Sequence, residues 1–131
     1  MSRPRVLVAD DHRAMLEALV QLLSGEFDIV AAVRDGVSVV TSTEALVPDL
    51  LVLDIAMPGM SGIAAAACVR KKGSTAKVVF VTNLHDREFV RESLALGQVG
   101  FVVKDRLVAD LLPAIHTVLS GGSFVSPSVA L

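Results

Sequence analysis

Two hydrophobic patterns alternate along the chain. Val6-Leu7-Val8-Ala9, Leu50-Leu51-Val52-Leu53, the segment from Lys77 to Val81 and the segment from Val99 to Val103 are short runs with almost no polar interior. Uniform apolarity over four or five residues is expected of strands buried on both faces of a parallel sheet, whereas a half-exposed strand would alternate. Phe27 to Val33 reads as one more strand, second in chain order. Between these runs apolar residues recur at helical spacing. Met15, Leu16, Leu19, Val20 and Leu23 share one face of a helix that Gly25 closes. Val37 to Val47 is a weaker helix, and the turn Met57-Pro58-Gly59-Met60-Ser61-Gly62 leads into an Ala-rich helix from Ile63 to Lys72. Asp86 to Leu96 is a fourth helix, and Leu111, Leu112, Ile115, Val118 and Leu119 line one side of a fifth. Pro113 removes a backbone donor and crowds the carbonyl of Ala109, so the regular part of that last helix is expected to begin near Asp110, which could cap it.

Five strand-then-helix units in succession predict an α/β fold, a doubly wound parallel sheet with right-handed crossovers covering both faces. The chain has 131 residues, enough for one domain and one core. Its 53% apolar content excludes a disordered segment, while charges and turn formers break every apolar run well short of the roughly 18 residues of a membrane span. The run after Met1-Ser2-Arg3-Pro4-Arg5 stops at Asp10, too early for a signal peptide. A single cysteine, Cys68, cannot close an internal disulfide, which suits a reducing, cytoplasmic setting. Twelve basic against fourteen acidic side chains argue against nucleic-acid binding by this chain alone. The tail from Gly121 to Pro127 has the composition of a turn and reads as a linker.

In such a sheet ligands bind beyond the carboxyl ends of the strands. The first strand ends in Asp10-Asp11, the third in Asp54, the fourth in Thr82 and the fifth in Lys104. Each alone is an ordinary strand-end polar residue, and the acidic pair also suits a helix N-terminus. Together they put three carboxylates, a hydroxyl and an ammonium on one rim. Carboxylates crowded there repel and push a pKa upward unless a cation intervenes. A hard divalent ion such as Mg²⁺ resolves that conflict and leaves room for phosphate oxygens. One carboxylate can then attack phosphorus to form an acyl phosphate, with Lys104 and Thr82 stabilising the phosphoryl oxygens.

The stretches Val6-Leu7-Val8-Ala9-Asp10-Asp11-His12, Leu53-Asp54-Ile55-Ala56-Met57-Pro58-Gly59-Met60-Ser61-Gly62, Val81-Thr82 and Gly100-Phe101-Val102-Val103-Lys104-Asp105 resemble the receiver domain of bacterial two-component response regulators, from Arg5 to about Gly121. The resemblance implies a flavodoxin-like five-stranded sheet in the order 2-1-3-4-5, with a receiver at residues 1–121 and a linker to an absent output domain, or a tail, at 122–131. It implies that Asp54 accepts a phosphoryl group from a sensor histidine kinase or a small acyl phosphate. Asp11, Asp54 and the backbone carbonyl of Ala56 would hold Mg²⁺, with Asp10 assisting through water. Thr82 and Phe101 would be the switch pair, the hydroxyl moving to the phosphate while the ring rotates inward. Such a protein is a signalling switch rather than an enzyme, although it catalyses its own phosphotransfer and dephosphorylation. Within the family, Asp10-Asp11-His12, Lys104-Asp105 and the tail are most similar to the branch with a C-terminal helix-turn-helix domain. That implies a phosphorylation-linked homodimer and transcriptional control, with DNA contacted only through the output domain. Lys104-Asp105 replaces a Lys-Pro found in many relatives, so no cis peptide is expected.

Three other readings compete. A Mg²⁺-dependent phosphatase would want a general acid two residues after its nucleophile, where this chain has Ala56. A flavin carrier would want a Ser/Thr/Gly-rich loop after the first strand and aromatic rings, but the chain has Asp10-Asp11-His12 there and no Trp or Tyr. A receiver that no longer takes phosphate would not keep all five site residues. Asn83 and Ala56 depart from common family residues beside the site, and Gln98 stands where alanine is usual. His12 and His85 are expected near the rim and His116 on a helix surface, none at metal-ligand spacing. Cys68, Met57 and Met60 are read as packing residues, and Arg70-Lys71-Lys72 as charges favoured at a helix C-terminus.

Overall fold

A computed structural model of the chain describes residues 3–83 and 87–127. The first strand, β1 (Arg5–Ala9), is followed by α1 (Arg13–Leu23), β2 (Asp28–Val33), α2 (Gly36–Leu46), β3 (Leu50–Leu53) and α3 (Gly62–Lys71). Then come β4 (Lys77–Thr82), α4 (Arg87–Leu94), β5 (Val99–Val103), a 3₁₀ turn at Lys104–Arg106, α5 (Leu107–Leu119) and β6 (Phe124–Val125). The sheet order is β2-β1-β3-β4-β5-β6, and every pairing is parallel. His85 and the expected helix start at Asp86 lie outside the described residues.

The central strands explain their own sequences. All four residues of β3 and all five of β5 are buried, because helices cover both faces. One face packs Leu7, Leu51, Leu53, Val78, Phe80 and Phe101 against α2 and α3 side chains such as Val39, Ala65 and Val69. The other packs Val6, Val8, Leu50, Val52, Val79 and Val102 against Leu16, Leu19 and Leu23 of α1 and Leu111, Ile115 and Val118 of α5. At roughly 1.5–3 kcal/mol for each fully buried aliphatic side chain, this double core is the main force holding the strand ends in register. Met57 is in the first core, with Met60 and Cys68 packed against it.

Two expectations are corrected. The sheet has a sixth strand: Phe124 and Val125 pair with Gly100 and Phe101, so the segment that reads as a turn in sequence instead extends the sheet edge. The last helix begins at Leu107, three residues before the expected start at Asp110, and runs through Pro113. Pro113 and Ala109 are both exposed, so water can donate to the Ala109 carbonyl in place of the missing Pro113 amide, and the helix continues. Asp110 caps nothing; it is buried and receives Arg106 and Ser126.

Candidate functional site

Strand register brings the site together. Ala9 pairs with Leu53, and the Asp54 amide then donates to the Ala9 carbonyl at 2.9 Å, so Asp10 and Asp54 leave the sheet side by side. Leu53 also pairs with Phe80, and Thr82 with Val103, which sets Thr82 and Lys104 on the same rim. The loop after β3 turns back sharply over this rim. Gly62 donates to the Ile55 carbonyl at 2.8 Å, and a Cβ on Gly62 would lie 2.0 Å from the Asp54 carbonyl oxygen. Only glycine allows that approach. Ser61 then caps α3 by accepting from the Ala64 amide. Gly62 escapes notice in the sequence, where it reads simply as the end of a turn.

Asp10 is wholly buried, Asp54 is 4% exposed, and the Lys104 side chain is 6% exposed. The Lys104 ammonium lies 2.7 Å from Asp10 Oδ2 and 3.5 Å from Asp54 Oδ2. The other Asp10 oxygen, Oδ1, accepts from the His12 amide at 2.9 Å. One ammonium is thus shared between two buried carboxylates. Burial pushes the Asp54 carboxyl up to about 6, the Asp10 charge adds to the rise, Lys104 opposes it and Asp11 adds a further push.

The residues fit a hard divalent cation. Asp11 Oδ1 is buried and accepts no hydrogen bond, and Asp10 Oδ2 has the close ammonium but no aligned donor. Oxygen atoms of Asp10, Asp11 and Asp54, with a ring nitrogen of His12, lie within 4.8 Å of one another. Carboxylate oxygens left unsatisfied at that spacing are what a small oxygen-seeking ion requires. His12 is exposed, with Nδ1 3.2 Å from Asp11 Oδ1 and 3.6 Å from Asp10 Oδ1.

Thr82 is buried at the end of β4, and Phe101 is fully buried in the core face that α3 covers. The ring is therefore enclosed in the core. Ala56 and Asn83 are both exposed beside the rim. His116 lies away from this rim on α5, paired with Glu26 at 2.5 Å, and Lys72 pairs with Glu44 at 2.6 Å. The peptide after Lys104 is trans, as expected.

Comparisons with known proteins agree with this geometry. Residues 6–116 match the family model of the response regulator receiver domain. A probable transcriptional regulatory protein NarL of Mycobacterium tuberculosis is 32% identical over 127 residues, which are 95% of this chain and 59% of that protein. The chain thus spans about three-fifths of the length of that relative. The nitrate/nitrite response regulator protein NarL of Escherichia coli is also 32% identical, over 95% of this chain and 58% of its own. Among solved structures, the receiver domain of the M. tuberculosis NarL superposes with a TM-score of 0.86 at 31% identity, covering 92% of this chain and 99% of that one. A LuxR-family response regulator from Aurantimonas superposes at 0.91 with 27% identity, over 98% and 93% of the two chains.

Proposed function

The chain belongs to the response regulator receiver domain family, and from that premise we propose that Asp54 is the phosphoacceptor of a phosphorylation-dependent signalling switch. The observation that carries the reading is the Asp54 carboxylate itself, buried at a strand end beside Asp10 and within 3.5 Å of the Lys104 ammonium. A carboxylate oxygen of Asp54 attacks the phosphorus of the donor. The P–N bond of a phosphohistidine, or the P–O bond of an acyl phosphate, breaks, and the donor leaves with the electron pair. Lys104, released from part of its contact with Asp10, neutralises the phosphoryl oxygens, and the Thr82 hydroxyl donates to one of them.

Mg²⁺ is the cation of this reading: Asp11, Asp54 and the Ala56 carbonyl would hold it, with Asp10 assisting through water, and it would supply positive charge to neutralise the carboxylates and the incoming phosphoryl group. Ala56 stands two residues after Asp54, where a phosphatase would place its general acid, so that position offers no proton donor to assist turnover. The product is therefore a phosphorylated protein whose surface changes, rather than a released substrate, and hydrolysis of that phosphoryl group is the protein's own.

The donor in this reading is a sensor histidine kinase, and the setting is the cytoplasm. Among the described residues no helix is long and apolar enough to cross a membrane. In this reading residues 1–121 carry the receiver, the following segment adds β6 to the edge of its sheet, and the chain beyond leads toward an output domain of the helix-turn-helix kind that contacts DNA to regulate transcription. Homodimerisation through α4, β5 and α5, or through α1 and α5, is the proposed first output, with Thr82 and Phe101 as the switch pair. The test is a titration with beryllofluoride, a phosphoryl mimic, followed by ¹⁹F NMR. A bound resonance that needs Mg²⁺ and disappears in Asp54→Asn supports the reading, and the same resonance in Asp54→Asn refutes it.

A further inference from the structure

We infer that Ser126 and Asp110 are positioning residues for Lys104, and that through them the docked tail strand β6 is coupled to the phosphoryl site. The inference rests on the phosphoacceptor reading above and adds to it a route from the site to the end of the domain.

The tail grips β5 at two points on its outer edge. The Ser126 amide donates to the carbonyl of Phe101 at 2.9 Å. Two residues along, the Val103 amide donates to the Ser126 hydroxyl at 3.1 Å. At that second point a side-chain oxygen takes the place that the next backbone carbonyl of a longer strand would occupy. Pro127 follows, and it has no backbone donor with which to extend the ladder. The hydroxyl in turn donates to Asp110 Oδ2 at 2.8 Å. Asp110 is clasped from the other side by Arg106, with Nε at 2.8 Å and Nη2 at 3.1 Å. Those contacts hold the Asp110 carboxyl below its ordinary range, Arg106 contributing most. Ser126 is 1% exposed, and its hydroxyl is used both as acceptor and as donor.

These bonds enclose the residues that carry the chemistry. Phe101, whose carbonyl the tail holds, is the proposed switch aromatic. Val103, whose amide the tail holds, immediately precedes Lys104. Arg106 and Asp110 fix the 3₁₀ turn that starts at Lys104 onto the beginning of α5. The backbone on both sides of Lys104 is therefore held by one connected set of bonds, buried at Ser126 and half-buried at Arg106, and its ammonium is aimed from there at Asp10 and Asp54. If Ser126 withdraws, a buried amide and a buried carboxylate each lose a partner, and β5 loses its hold on the outer edge next to Lys104.

A two-residue strand has little stability of its own, so its docking responds to small changes in β5. A phosphoryl group that engages Lys104 favours the backbone position that the docked tail also favours. By reciprocity, docking of the tail strengthens phosphoryl binding and phosphoryl binding tightens the tail. Whatever follows residue 127 would then be presented differently in the two states.

The experiment uses the full chain, with Mg²⁺ and beryllofluoride as the probe. Ser126→Ala is expected to weaken beryllofluoride binding about five-fold by ¹⁹F NMR titration, while Ser123→Ala, an exposed position in the same tail, leaves it unchanged. In the unaltered protein, saturating beryllofluoride is expected to slow hydrogen exchange at the Val103 and Ser126 amides by about five-fold or more, an effect that a merely structural contact would not show. This second measurement needs no variant to fold. Unchanged affinity in Ser126→Ala, or unchanged exchange at both amides, overturns the inference and leaves the phosphoacceptor reading standing. An unaltered protein that binds no beryllofluoride in Mg²⁺ overturns that reading, and this inference with it.

Discussion

Replacing Asp54 with Asn should make the metal-free protein more stable while removing its proposed chemistry. Asp54 is an acid whose folded pKa is raised, from the ordinary 3.8 to about 6, by burial first and by the Asp10 charge second. The folded state therefore binds the proton more tightly than the unfolded state. Stability conferred by the neutral carboxyl is fully present below about pH 4 and is lost as pH rises toward and through about 6. At about 1.4 kcal/mol for each tenfold change in proton affinity, the ionised carboxylate costs on the order of 3 kcal/mol at pH 7.5. Asparagine has nearly the same shape and no charge to desolvate, although it gives up the ion pair with Lys104, whose pull is already contained in that pKa. Asp54→Asn is thus expected to gain about 2–3 kcal/mol at pH 7.5 in the presence of a chelator, raising the melting temperature by roughly 10 °C for a domain of this size. The gain should shrink toward zero near pH 4 and narrow again at pH 7.5 when Mg²⁺ is added. Calorimetry across pH 4–8 measures all three. A variant no more stable than the parent at pH 7.5 without metal, or a gain that does not fall with pH, refutes the account of the buried carboxylates.

Other outcomes follow from the same geometry. Lys104→Ala removes the cation 2.7 Å from Asp10 and 3.5 Å from Asp54, and urea denaturation in metal-free buffer at pH 7.5 should show a loss of about 3 kcal/mol. Gly62→Ala places a Cβ 2.0 Å from the Asp54 carbonyl oxygen. It should cost about 3 kcal/mol or more by the same denaturation, and NMR shifts should be largest at Asp54 and Ile55. Val47 holds φ at 48° and is 69% exposed as a residue, an uncomfortable backbone for a β-branched residue. Val47→Gly should therefore stabilise by about 1 kcal/mol by thermal denaturation without altering beryllofluoride binding.

Particular residues show what the sequence made legible. The four apolar strand runs are unmistakable because a strand buried on both faces leaves no place for polar side chains, and β3 and β5 have the bounds that this pattern predicts. The rim residues could be named because each directly follows or closes such a run, so strand order alone aligns them. What could not be read is what depends on long-range contacts. Phe124-Val125 looks like a turn because it is short and follows Gly121-Gly122. It becomes a strand through long-range partners: it pairs with Gly100 and Phe101, and the next residue, Ser126, bonds Asp110, sixteen positions away in the chain. Asp110 looks like a helix cap because Pro113 suggests a late start, and nothing local reveals that Pro113 lies on the wet side of α5. Burial was equally hidden: the acidic residues were visible, but the pattern does not say that Asp10 is wholly enclosed while Asp11 is partly exposed.

The most direct measurement of the central claim is the intact mass of the protein after incubation with acetyl phosphate, with and without Mg²⁺, beside Asp54→Asn. Mass is the suitable readout because the chain has no Trp or Tyr to report binding by fluorescence. The account predicts one added phosphoryl group, about 80 Da from the composition of PO₃H, that requires both Mg²⁺ and Asp54. Equal labelling of Asp54→Asn would contradict it.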